Sequence, residues 1–109
     1  MVGIRDLGRD AGEAGLYDWI DVARHFADCQ FAEIEAAARA LVAREALAAE
    51  APVIGAGCGR FVAKRLAKQL GLAYADFAAL IDCAPEAAEM ASRSAPAVSV
   101  ALLSARAYP

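Results

Sequence analysis

Long apolar runs are missing from this chain: no stretch reaches the roughly 18 uninterrupted apolar residues that a spanning helix needs, which argues against a helical membrane protein. The opening Met1-Val2-Gly3-Ile4-Arg5-Asp6 has no basic region followed by an apolar core, so no secretory signal is expected and the reading is cytoplasmic. Histidine is nearly absent, with His25 alone, and the three cysteines Cys29, Cys58 and Cys83 are an odd number at spacings that match no zinc pattern. Free thiols are the expectation, with no metal site. Positive charge is also short. A formal net charge of −3 gives no electrostatic reason to bind nucleic acid. Arg60, Lys64, Arg65 and Lys68 lie close together, and four cations on one helix read as its solvated face.

What is present is alanine. The apolar fraction of 60% owes much to it and signals helix rather than membrane. A length of 109 residues predicts one domain with one modest core and no room for a two-domain enzyme. Residues 1–16 are rich in glycine and charge and read as a connector, because Gly12 and Gly15 discourage a continuous helix. From 17 to 48 the pattern changes. Ile20, Ala23, Ala27, Ile34, Ala38 and Leu41 recur at helical steps, predicting a long amphipathic helix with room for one break near Cys29 and Gln30. Tyr17 and Trp19 are expected to pack on that helix, as is His25.

Residues 52–81 read as strand, glycine turn, helix and strand. Pro52 to Ala56 suits a buried strand, a helix opens at Gly59 or Arg60 and runs to Leu70, and Gly71 stands where a left-handed cap is wanted. Leu72 to Phe77 forms the second strand. The segment Asp82 to Arg93 reads as a loop with a helical turn starting at Pro85. Ser94 is expected to cap a last helix over 94–106 with Pro96 in its first turn. Val98, Val100, Ala101, Leu102 and Leu103 leave that helix almost no polar face, so burial on most sides is predicted. Two short strands around a helix imply a parallel β-α-β unit, and an isolated parallel pair is not a stable sheet. Neighbouring strands are expected from an N-terminal portion of the same protein or from a second copy.

Val53-Ile54-Gly55-Ala56-Gly57-Cys58-Gly59-Arg60-Phe61 places glycines between strand and helix. There the backbone can approach a ligand closely, and the first N–H groups of the helix have no internal partner, so a phosphate is a natural occupant. The spacing is neither the dinucleotide fingerprint nor the P-loop, and a strand-turn-helix junction without a ligand is the plain alternative. Arg60 breaks a local rule, since a cation in the first helical turn opposes the dipole by roughly 0.3 to 1 kcal/mol. An anion or a stacked ring would compensate. Cys58 shares the positive helix end but has no base beside it in sequence, and the carboxylates Asp18, Asp21, Asp28, Glu33 and Glu35 show no paired arrangement for acid-base work.

Four segments carry a resemblance: Leu7-Gly8-Arg9-Asp10-Ala11, Pro52 to Phe61, Tyr74-Ala75-Asp76-Phe77, and Ala95 to Leu103. Through them the chain resembles the C-terminal part of the hydantoinase/oxoprolinase-related family of tetrahydromethanopterin-linked one-carbon transfer pathway proteins, which are similar to a methanofuran-biosynthesis synthase. The resemblance implies the C-terminal half of an actin, heat-shock and sugar-kinase-like α/β fold. It also implies nucleotide or diphosphate contacts at Gly55, Gly57, Gly59 and Arg60, with no catalytic residue in this chain. ATP or a diphosphate substrate is the implied ligand, with Mg2+ bound by an N-terminal half that these residues do not contain. The implied chemistry is transfer with loss of diphosphate. The alternatives are a helical homo-oligomerising module with no ligand, and a dinucleotide-binding unit with Asp76 as the acidic residue about twenty positions after the turn.

Overall fold

A computed structural model describes residues 14–109, so the expected connector over 1–16 and the Leu7 to Ala11 segment lie outside the described residues, apart from Ala14, Gly15 and Leu16, the last already helical. Helix α1, Leu16–Glu45, starts where glycine gives way to helix formers. Asp18 turns its carboxylate back to accept the Gly15 backbone N–H at 2.9 Å, the acidic half of a capping box, and also sits at the positive end of the dipole. The helix runs without a break through Cys29 and Gln30. Ala46, at φ 47°, takes a left-handed conformation just past its end.

The chain divides into two units, with the boundary at Ala36–Ala37 inside α1. In the first, Phe31 is buried, while Tyr17 and Trp19 are 82% and 41% exposed and His25 is exposed. The expected packing roles of these last three are therefore corrected: all three side chains are exposed, the His25 ring meeting Phe26 edge-on with centroids 6.1 Å apart.

The second unit contains the sheet. Strand β1, Val53–Gly55, pairs in parallel with β2, Tyr74–Asp76, in the register Val53 to Tyr74, Ile54 to Ala75 and Gly55 to Asp76. Between them runs α2, Arg60–Leu70. Its end is a Schellman turn: Leu72 N–H donates to the Ala67 carbonyl at 2.9 Å and Gly71 N–H to that of Lys68 at 3.3 Å, with Gly71 at φ 68°. Arg39 donates to the Gln69 carbonyl at 3.1 Å, placing a cation at the negative end of α2. After β2 come 3-10 turns at Phe77–Leu80 and Pro85–Ala87, then α3, Ala88–Arg93, and α4, Ala95–Ala107. The result is helix-rich α/β with a two-stranded parallel sheet.

Two expectations for α4 are corrected. Ser94 makes no side-chain cap bond: at φ −102° and ψ 27° it lies outside the extended region that aims a capping hydroxyl at the helix amides, and its Oγ faces the Met90 sulfur at 3.8 Å. Nor is α4 buried on most sides. Val100, Leu102 and Leu103 are 65%, 41% and 64% exposed, because among the described residues little packs over its second half. No described helix is long and apolar enough to cross a membrane.

Candidate functional site

The junction from β1 to α2 is built around two glycines with different duties. Gly55 is buried because Tyr74 lies against it across the sheet. A Cβ at position 55 would fall 2.7 Å from ring carbons Cε2 and Cζ and closer still to the hydroxyl, so hydrogen is the only side chain that fits. Gly57 is needed for its conformation instead: its φ is 78°, a left-handed value that glycine adopts without steric cost, and nothing among the described residues crowds the place of its Cβ. Its N–H donates to the Ser92 carbonyl at 2.7 Å. Gly59 precedes α2 with no side-chain cap, and its carbonyl accepts from Val62 at 2.9 Å.

Arg60 departs from the solvated-face expectation. Its side chain is 18% exposed and turns back over β2, while Lys64, Arg65 and Lys68 remain exposed. Nη2 donates to Glu89 Oε2 at 2.5 Å, and Nε stands 3.4 Å from Asp76 Oδ1. The cation that breaks the dipole rule is thus compensated by the chain's own carboxylates, one at the end of β2 and one on α3. The hydrogen bond to Glu89 and the charges of Glu89 and Asp76 raise its pKa against the opposing effect of burial, so it stays charged. Nη1 is buried and has no hydrogen-bond partner among the described residues.

Tyr74 completes the cluster. Its hydroxyl donates to the same Asp76 Oδ1 at 2.6 Å, and Lys64 Nζ lies 5.8 Å from the centre of its ring, within cation–π range. The bond to Asp76 holds the phenol proton and raises the Tyr74 pKa, with burial and the Asp76 charge adding and Arg60 opposing. Ser92, 2% exposed, ties the two loops together: its hydroxyl accepts the Ala78 N–H at 3.1 Å while its carbonyl takes that of Gly57.

An open cavity of about 290 Å³ lies at the start of α2, lined by Gly57, Cys58, Arg60, Phe61, Glu89 and Arg93. It brings together two guanidinium groups, one carboxylate, an exposed thiol and the ring of Phe61, which is 73% exposed. Of the four residues singled out from sequence, Gly57 and Arg60 line it, Gly59 stands beside them in the chain, and Gly55 serves the packing of Tyr74. Sequence reasoning missed Glu89, Arg93 and Ser92. All three lie on or at the end of α3, some thirty residues on, and no local spacing links them to the turn. No group of three or more His, Cys, Asp or Glu side chains suited to a metal occurs among the described residues. No family model, curated protein or solved structure matches the chain.

Proposed function

We propose that this chain is the C-terminal, phosphate- or nucleotide-binding part of a larger α/β domain in a cofactor-biosynthesis transferase, not catalytic alone. One observation carries the reading that it is a part: in the unit from Ala37 the buried hydrophobic side chains among those described are only those of Ala67, Ala91 and Ala95. Burying a methyl group gives about 0.8 kcal/mol, whereas ordering each backbone residue costs about 1 to 2 kcal/mol, so such a core needs further surface to cover its partly exposed leucines and valines. A two-stranded parallel sheet asks for the same completion. An N-terminal half of the same protein with an actin-like fold, as the resemblance to the methanofuran-synthase family implies, supplies both.

The ligand in this reading is ATP or a diphosphate compound, with any Mg2+ held by the completing half. Arg93 and Arg60 would meet its charge, and the uncapped α2 amides beside Gly59 would donate to its oxygens. Glu89, whose side chain is 71% exposed, must swing away from Arg60 for an anion to enter. Diphosphate and ATP, each with and without Mg2+, should therefore shift the amide resonances of Cys58, Gly59 and Arg60. Glu89→Gln should tighten binding several-fold by removing the competing carboxylate, and Arg60→Gln should abolish it. Silence from both the native chain and Glu89→Gln sinks the ligand half of this reading.

A second reading, an interaction module that self-associates without ligand, is favoured by the outward-facing α4. A groove of about 290 Å³ runs between Phe77, Ile81, Ser99, Leu102, Leu103 and Arg106. Under it, sedimentation equilibrium gives a mass above one chain that Leu103→Glu lowers and diphosphate leaves unchanged.

A further inference from the structure

Away from the glycine turn, α1 carries a pair of metal-ligating side chains one helical turn apart. Sγ of Cys29 lies 3.6 Å from Nε2 of His25, and both residues are exposed. Zinc holds sulfur at about 2.3 Å and imidazole nitrogen at about 2.0 to 2.1 Å, so two corners of a tetrahedral site stand about 3.5 Å apart. The pair already has that separation. A closed site needs four ligands, and no described cluster in one chain offers even three.

The helix surface beside the pair indicates where the other two come from. Trp19, Val22, Phe26 and Cys29 follow one another at steps of three, four and three, the spacing of a coiled-coil seam. At about 100° per residue they fall within a stripe roughly 80° wide, and His25 borders it on the Cys29 side. Trp19, Val22 and Phe26 are 41%, 45% and 69% exposed, and Cys29 is exposed as well, whereas the buried Phe31 lies on the opposite side of the helix. One chain thus leaves uncovered a seam that ends in half of a metal site.

We propose that two copies of the chain associate in parallel through this stripe and hold one zinc-class divalent ion between them, ligated by His25 and Cys29 of each. In parallel pairing Cys29 occupies a seam position, which brings the two thiols opposite each other with the imidazoles flanking them. Each thiol releases its proton to solvent as its sulfur coordinates, and each neutral imidazole binds through Nε2 while Nδ1 keeps its proton. Two thiolates then balance the two charges of the ion, so the dry seam holds no net charge. This inference is independent of the phosphate reading.

Cobalt(II) titrated into the reduced full chain tests it, because thiolate ligation in a tetrahedral field gives visible absorption bands. The bands should saturate at one ion per two chains, bleach when zinc is added, and accompany a species of twice the chain mass in sedimentation. Cys29→Ser and His25→Ala should each lose the bands while keeping their helix content by circular dichroism, and Cys58→Ser should keep them. Cys29→His, which retains a ligand, should restore uptake with a shifted spectrum. Absence of bands at millimolar cobalt overturns the proposal, as does saturation at one ion per chain or uptake that survives Cys29→Ser.

Discussion

Tyr74 occupies the space that any side chain on Gly55 would need, its ring carbons lying 2.7 Å from where a Cβ would be built. The glycine therefore decides where the phenol sits, and the phenol in turn holds Asp76 beside Arg60. Gly55→Ala should push the ring outward, break the bond to Asp76, and cost about 1 to 3 kcal/mol as overpacking commonly does. Chemical denaturation measures the loss. In the Tyr74→Ala background the same substitution should cost far less, because the space is then vacant, and equal costs in both backgrounds would show that Gly55 acts through its backbone instead.

The bond from Tyr74 to Asp76 has a signature in pH. Because the folded pKa of Tyr74 is raised above 10, the stabilisation it brings is fully present below the ordinary tyrosine value and is lost as pH climbs through the folded one. Tyr17 and Tyr108 are 82% and 85% exposed, whereas the Tyr74 hydroxyl is bonded to Asp76 and should ionise late. An alkaline absorbance titration should resolve it, and Tyr74→Phe should remove the late step. Asp76→Asn should bring that step earlier. Arg60→Gln should delay it further, since the guanidinium favours the phenolate.

Ser92 joins the loops that follow the two strands. Removing its hydroxyl leaves the Ala78 N–H without its acceptor, while the main-chain bond to Gly57 survives. Ser92→Ala should therefore cost about 1 to 3 kcal/mol, the usual penalty for an unsatisfied part-buried donor. Hydrogen exchange should quicken at Ala78 by at least tenfold and change little at Gly57. Acceleration at both amides alike would mean that the substitution loosens the whole region.

These contacts also mark how far sequence carries the structure. The Arg60–Leu70 helix, the Gly71 cap and the strand positions were legible because glycine, proline and helical spacing act within a few residues of themselves. Arg60 stood out because it opposes a dipole, but the identity of its compensators did not, since Glu89 arrives from 29 positions away. Alanine obscured the rest. Its methyl group favours helix without specifying a buried face, and in α4 it left Val98, Val100, Leu102 and Leu103 to predict a burial on most sides that their neighbours among the described residues do not supply.

Ala46 and Gly71 pose one question with opposite signs. Both lie just past a helix end and both take positive φ, 47° and 68°, but only Gly71 is the residue that conformation favours. Among the described residues no non-neighbouring atom stands within 4 Å of a Cβ built at Gly71, so Gly71→Ala tests backbone conformation without a clash. It should destabilise by about 1 kcal/mol, and Gly71→Asn by less, because asparagine tolerates the left-handed region better than alanine. Ala46→Gly should go the other way and stabilise by up to about 1 kcal/mol, since it relieves the same penalty at the end of α1. Urea midpoints at constant slope report both changes. If Ala46→Gly destabilises, the cost of freeing the unfolded chain outweighs the relief, and the end of α1 is not held in its left-handed turn.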